Sequence, residues 1–292
     1  MKISTEYSAA AKIVGMEKSV ELTARAGFEA WDFTVSGMLN YDAATGRRSV
    51  NRAHPFLNNE GLKIVRKLRQ IGLDNGIVCN QAHAPFSPKD PEINVTFKRA
   101  IELAAEAGAS NIVFHTMTNE SLEANIGLFS ALAPFAEDYG VKIAVENTYL
   151  WPRGQEFATP DPVSLPETMR ELLTRVNHDY VVACIDTGHA EISSVGTNAP
   201  DMIRAAGSKL ACLHIQDCDH IHDSHQLPFT MDVDFNAIIK ALREVDYKGD
   251  MTLEADSFLY YGYKDRPDEI LDGLKIMRDA ANRLREMFLA QD

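Results

Sequence analysis

An amphipathic stretch, a glycine, then a short apolar run: this order recurs along the chain. Segments rich in Ala, Leu, Glu and Lys give way to β-branched runs in ARAGFEAWDF (24–33), LRQIGLDNGIVCN (68–80), AAEAGASNIVFHT (104–116), AEDYGVKIAVENT (136–148) and REVDYKGDMTLEAD (243–256). Gly27, Gly108, Gly140 and Gly249 stand where a left-handed residue closes a helix. The runs after them read as buried strands flanked by helix, not by hairpin turns. MKIST, YVVACID and KLACLHIQD supply three more. The pattern predicts strands at about 2–5, 28–33, 76–82, 111–116, 141–146, 181–186, 210–215 and 250–255. Helices are expected at about 15–26, 57–74, 91–107, 119–139, 165–177, 199–207, 234–245 and 267–288.

Strict alternation with short connections implies parallel strands and right-handed crossovers. Eight units of roughly 36 residues match a closed (β/α)8 TIM barrel, an α/β fold. An open doubly wound sheet shares the alternation, but its phosphate-cradling glycine fingerprint is missing. No linker rich in Pro, Gly or Ser divides the chain, so residues 1–292 are expected to form one domain.

Composition narrows the partners. The 292 residues carry a formal charge of −13, which disfavours a non-specific nucleic-acid binder, since that needs a basic face. With 45% hydrophobic and 24% charged residues the chain resembles an ordinary globular protein. No apolar run approaches the roughly 20 residues of a spanning helix, and the N-terminus lacks a secretory pattern. Cys79, Cys184, Cys212 and Cys218 show no CxxC spacing. A cytoplasmic protein without membrane contact is expected.

Barrel strands deliver their C-terminal ends to one mouth, so the residue ending each strand carries the chemistry. Strands three to eight end at His83, His115, Glu146, Asp186, His214 and Glu254. His189 follows Asp186 in DTGH, the loop after strand seven adds Asp223 and His225, and Asp32 ends strand two. A single such residue is an ordinary polar terminus. Six at one mouth repel one another and lose hydration unless a cation compensates them. A divalent metal does so, and His with carboxylate suits Zn, Mn, Co or Fe.

Other candidates are weaker. His54 and His178 read as surface residues, and His220 and His222 lie outside the strand-end register. Cys79, Cys184 and Cys212 read as small core residues, with Cys218 looser. Trp151, Arg153 and Phe258 fall on mouth loops, where they could contact a sugar; Trp151 and Phe258 could equally cap the barrel.

These motifs in this order resemble the xylose-isomerase-like barrel superfamily of sugar-phosphate isomerases and epimerases, which also contains the endonuclease IV group. The carriers are His83 in AHAPF, His115 in FHT, Glu146 in VEN, Asp186 and His189 in DTGH, His214 in HIQD, Asp223 and His225 in DSH, and Glu254 in LEAD. The resemblance implies one divalent ion per chain (Mn, Co, Mg or Zn) held by Glu146, Asp186, His214 and Glu254. It implies catalysis by Glu146 and Glu254 through a metal-stabilised enediolate, with His189 on a substrate oxygen. The substrate would be a sugar or sugar phosphate, with a homo-oligomer possible.

Two features pull elsewhere. The epimerases commonly place an Arg just after the strand-seven His, and here Asp217, Cys218, Asp219 and His220 stand nearby. His83, His115, Asp223 and His225 complete the set of a three-zinc apurinic-site endonuclease, the alternative reading. A lyase, dehydratase or C-glycoside-cleaving relative using the same metal, or a non-catalytic metal-binding barrel, remains open.

Overall fold

The computed structural model describes residues 1–35, 37–42, 47–86, 93–117 and 119–290. Eight parallel strands form the frame: β1 (Ile3–Thr5), β2 (Ala30–Thr34), β3 (Val78–His83), β4 (Asn111–His115), β5 (Lys142–Glu146), β6 (Val181–Asp186), β7 (Leu210–His214) and β8 (Met251–Leu253). Each pairs with the next from β2 to β7, and β8 pairs with β1. Bridges from Glu6 to Asp32 and from Ile215 to Leu253 join β1 to β2 and β7 to β8, closing the barrel. All eight strands lie where the sequence pattern puts them.

The outer helices are α1 (Ser8–Val14), α2 (Met16–Ala26), α3 (Asn59–Asp74), α4 (Ile93–Ala107), α5 (Leu122–Tyr139), α6 (Pro166–Val176), α7 (Thr187–Glu191), α8 (Ala199–Ala206), α9 (Phe235–Glu244), α10 (Asp256–Tyr263) and α11 (Ile270–Leu289). Positions 91–92 of the expected 91–107 helix lie outside the described residues. The first expected helix, 15–26, is α2; α1 before it was not expected, and Gly15 at φ 84° separates the two. The short mouth helices α7 and α10 are absent from the apolar pattern. So are two small hairpins, Leu39–Asp42 with Arg47–Val50 and Tyr149–Leu150 with Thr159–Pro160, which extend the mouth loops.

Gly27, Gly108 and Gly140 have the positive φ expected of helix closers, but Gly249 does not. Asp246, at φ 54°, takes the left-handed position after α9. A Cβ on Gly249 would come within 2.2 Å of Tyr247 Oη and 2.6 Å of the Ala211 carbonyl, so close approach explains that glycine.

Strand parity sets the site. A large core with Trp31, Phe33, Phe97, Phe114 and Phe129 packs the helices onto the barrel. Inside, Val113, Ala144, Val182, Cys184 and Cys212 form a separate small cluster. His115, Glu146, Asp186 and His214 lie two residues further along their strands, so side-chain alternation stacks them above it.

Candidate metal centre in the barrel mouth

His214 sits at the middle of the mouth, fully buried. Its Nδ1 is 2.7 Å from Glu146 Oε1 and 3.1 Å from Glu254 Oε2; its Nε2 is 3.1 Å from Asp32 Oδ2. Glu146, Asp186, His214 and Glu254 each offer a ligand atom, and these atoms lie within 4.8 Å of one another. With Nε2–H donating to Asp32, the Nδ1 lone pair is left among carboxylate oxygens. Without a metal only protons can relieve this crowding. Burial opposes charge on His214, but Glu254 and Glu146 lift its pKa well above the usual imidazole range. Burial pushes the Glu254 carboxyl up to about 8. Burial acts the same way on Glu146, but the His214 and His115 imidazoles win and hold its carboxyl well below the usual range.

Glu146 faces a second pair of rings. Its Oε2 lies 2.7 Å from His115 Nε2 and 3.4 Å from His83 Nε2, yet makes no well-angled hydrogen bond. His83 Nδ1 is 2.7 Å from the Ala84 carbonyl, which fixes the proton on that nitrogen and turns the Nε2 lone pair toward the glutamate. A buried acceptor facing a lone pair is a poor contact for a proton-free site and a good one for a cation.

The same logic repeats at His189, Asp223 and His225, whose ligand atoms also lie within 4.8 Å of one another. His189 Nδ1 is 2.9 Å from the Asn147 carbonyl and His225 Nδ1 is 2.9 Å from the Glu254 carbonyl. Both Nε2 atoms then face Asp223 Oδ2, at 3.4 and 3.1 Å. Burial opposes charge on His189, but Asp186 and Asp223 lift it to about 10. The donor set in all three clusters fits divalent metals that accept nitrogen and oxygen.

A cavity of about 460 Å³ opens over these groups. His83, His115, His189, Asp223, His225 and Glu254 border it, and Lys12 and Arg48 are its basic residues among the described ones. Glu146, Asp186 and His214 lie beneath. Thus the structure gathers all nine strand-end and loop candidates at one mouth. Trp151, Arg153 and Phe258 are not on the cavity wall. Trp151 stacks on His222 at the exposed rim, its Nε1–H donating to the Gln155 carbonyl, and Phe258 packs into the core beside Tyr263.

Several residues prove different from, or missing in, the sequence reading. Asp32 lies inside β2, which runs on to Thr34, so it supports His214 from below and does not end the strand. Cys218 is fully buried, and burial pushes its thiol up to about 12. His220 is tied to the Glu191 and Asp232 carbonyls, away from the cavity. Gln216, inside the HIQD motif, donates to both Asp186 oxygens at 3.3 Å and to Asp223 Oδ1 at 2.8 Å. It packs so tightly under Gly188 that a Cβ there would lie 2.4 Å from its Cδ, which explains the glycine of DTGH. Tyr149 Oη donates to Asp223 Oδ2 at 2.9 Å. Gln216 and Tyr149 could have been found from their places inside HIQD and just after VEN.

A closed parallel barrel with clustered His, Asp and Glu at the strand C-termini defines a TIM barrel with a candidate divalent-metal site. The model of the xylose isomerase-like TIM barrel family matches residues 20–280, and the chain belongs to that family. It is 25% identical over 183 residues to the inosose isomerase of Bacillus subtilis, covering 58% of this chain and 62% of that one. Among solved structures it is similar to D-psicose 3-epimerase in the presence of D-fructose, with TM-score 0.71, 16% identity and 99% and 100% of the two chains covered. It is also similar to the IOLI protein with a bound zinc atom, with TM-score 0.73, 18% identity and full coverage of both chains. Among the described residues no helix is long and apolar enough to cross a membrane.

Proposed function

We propose that this protein is a divalent-metal-dependent sugar isomerase or epimerase. The observation that carries the reading is the convergence of Glu146, Glu254 and Asp186 around the His214 Nδ1 lone pair, directly below an open cavity. These four would hold the ion. When bound, it polarises a substrate carbonyl and makes the neighbouring C–H acidic. Glu254 borders the cavity, and an environment that raises its carboxyl toward neutrality suits a group that gives and takes a proton at the substrate carbon. Glu146, whose carboxyl its imidazole neighbours hold well below the usual range, would serve as the second carboxylate of the acid–base pair. His189, on the cavity wall, would donate to a substrate oxygen. The similarity to an inosose isomerase and to a sugar 3-epimerase supports this reading.

One observation favours a second reading, a multi-metal phosphodiester hydrolase. The His189 and His225 lone pairs that face Asp223 form a cluster of their own, and Glu146 stands between His214 and the His83–His115 pair. Metal content per chain, followed by a ketose, aldose and inosose panel in deuterated water, separates the two. The first reading expects about one tightly held ion and deuterium at the carbon beside the carbonyl of one sugar. It also expects a loss of about 10²- to 10⁴-fold in turnover for Glu254→Gln. Two or three ions, no deuterium in any sugar and cleavage of abasic-site DNA would overturn it in favour of the second.

A further inference from the structure

We propose that Gln216 is a positioning residue for metal binding: its side-chain amide stands between Asp186 and Asp223, aims one carboxylate into each of two clusters, and couples the clusters' affinity for a divalent ion. This rests on the metal-dependent reading above and goes beyond it. Asp186 belongs to the cluster of Glu146, His214 and Glu254, and Asp223 to that of His189 and His225. Gln216 follows His214 by two residues and is fully buried. It is a member of neither cluster and touches both.

The amide has one possible orientation. Oε1 accepts from the His225 N–H at 2.7 Å, while Nε2 donates to Asp223 Oδ1 at 2.8 Å and to both Asp186 oxygens at 3.3 Å. Turned over, it would set an oxygen against two carboxylates and an NH2 group against an N–H. Its two hydrogens are therefore divided, one for each carboxylate. The backbone is pinned as well. Thr187 Oγ1 donates to the Gln216 carbonyl at 2.8 Å, and the Gln216 N–H donates to Thr187 Oγ1 at 3.0 Å. The DTGH and DSH segments meet at this one residue.

Asp217, the next residue, shows what a purely structural side chain looks like here. It is fully buried, and its Oδ1 accepts from the Cys218 and Val233 N–H groups while Oδ2 accepts from those of Thr230 and Met231, all at 2.9–3.0 Å. Every donor is a backbone group of its own loop, and none belongs to a candidate ligand. Asp217 staples the loop after β7. Gln216 does the opposite: every bond of its side chain ends on a residue of one cluster or the other.

Two carboxylates drawn to one nitrogen repel each other, and the N–H groups between them offset that repulsion. The same bonds decide which oxygen is left for an ion. Asp223 has Oδ1 on Gln216, so Oδ2 is the oxygen that faces the His189 and His225 Nε2 atoms. Asp186 Oδ1 takes the His189 N–H at 2.7 Å, so among the described residues Oδ2 has only the longer bond from Gln216. A glutamate in this place would add a third negative charge, and a leucine would leave both carboxylates bare. Gly188 makes the room, since a Cβ there would lie 2.4 Å from Gln216 Cδ.

The experiment titrates metal-free protein with Zn against a chromophoric chelator, and with Co, whose visible absorption reports the geometry of its donors. Gln216→Leu should weaken the tightest ion by about 10- to 100-fold and change the cobalt spectrum. Gly188→Ala removes no polar atom but pushes on the amide. It should move both readouts in the same direction, and it answers the question if Gln216→Leu does not fold. Asp223→Ala frees one side of the amide and should also weaken the ion in the four-residue cluster. Combined with either of the other two, it should lose clearly less than the product of the single losses. A merely structural role would lower the thermal midpoint and leave ion affinity and cobalt spectrum at wild-type values. That result, or losses that simply multiply, overturns the inference and leaves the metal-dependent reading standing. If wild type takes up no divalent ion, that reading fails first and takes this inference with it.

Discussion

The two ends of the barrel interior are both polar, but they are built on opposite rules. Toward the N-terminal end, donors meet acceptors from Ser4 to Gln81, and the one orphan is Asp32 Oδ1, where this network joins the mouth. Ser4 Oγ donates to Asn80 Oδ1, Asn80 Nδ2 to Thr252 Oγ1 and Asp250 Oδ2, Thr252 Oγ1 to Gln81 Oε1, and Gln81 Nε2 to Asp32 Oδ2 and the Leu213 carbonyl. Amides and hydroxyls dominate, with Asp250 at the rim. At the C-terminal mouth, acceptor meets acceptor: carboxylates face imidazole lone pairs whose partner nitrogens are tied to carbonyls or to Asp32. A network of the first kind is complete by itself and holds the fold. A network of the second kind is completed by something from outside. Asp32 belongs to both, since its Oδ2 receives Gln81 from below and His214 from above.

The sharpest break of this contrast is at Glu146, which faces both His214 and the His83–His115 pair. Glu146→Gln keeps the shape and removes the charge. We expect turnover to fall by about 10²- to 10⁴-fold. Bound metal should fall with it, and the thermal midpoint should stop responding to a chelator, whereas wild type should lose stability on chelation because an ion that binds only the native state stabilises it. A variant that keeps its full metal content would place Glu146 with the self-satisfied network instead.

Asp32→Asn tests the joint between the two ends. The amide oxygen can still accept from both Gln81 and His214, but the ring loses its carboxylate partner. An outer partner of this kind typically tunes metal affinity by about 10- to 100-fold. Titration of metal-free protein with Zn or Mn should show a shift in that range, with the fold unchanged. No shift would mean that His214 is oriented by packing alone.

Which parts of this were legible in the sequence follows the same division. The strands were readable because parallel barrel strands, buried on both faces, are continuous apolar runs between glycine-closed helices. The strand-end ligands were readable because each stands immediately after such a run. The short helices α7 and α10 were not, since α7 begins on the Asp186 side chain accepting from the His189 N–H and owes little to apolar periodicity. Asp32 was assigned to a strand end because the predicted strand closes at 33, one residue later. Alternation along β2 turns it inward, away from Trp31 and Phe33 in the outer core and below His214. Trp151 and Phe258 stayed open between sugar contact and capping because an aromatic on a mouth loop can turn to the rim or to the core as easily as to the cavity.

The smallest effect is expected at the other end. Thr252→Val is nearly isosteric and removes the hydroxyl that accepts from Asn80 and donates to Gln81. Gln81 is left short of one partner in a buried position and Asn80 in a half-buried one, and a loss of about 1–3 kcal/mol follows. For a chain of this size each kcal/mol lowers the thermal midpoint by about 2–4 °C. Metal content, KM and kcat should stay at wild-type values, although Thr252 lies only two residues before Glu254 on the same strand line. That proximity gives the variant its force. If the lower network merely holds the barrel, stability and chemistry separate within two residues of β8. If metal affinity drops together with the midpoint, the two ends form one coupled network through Gln81 and Asp32, and the division drawn between them is wrong.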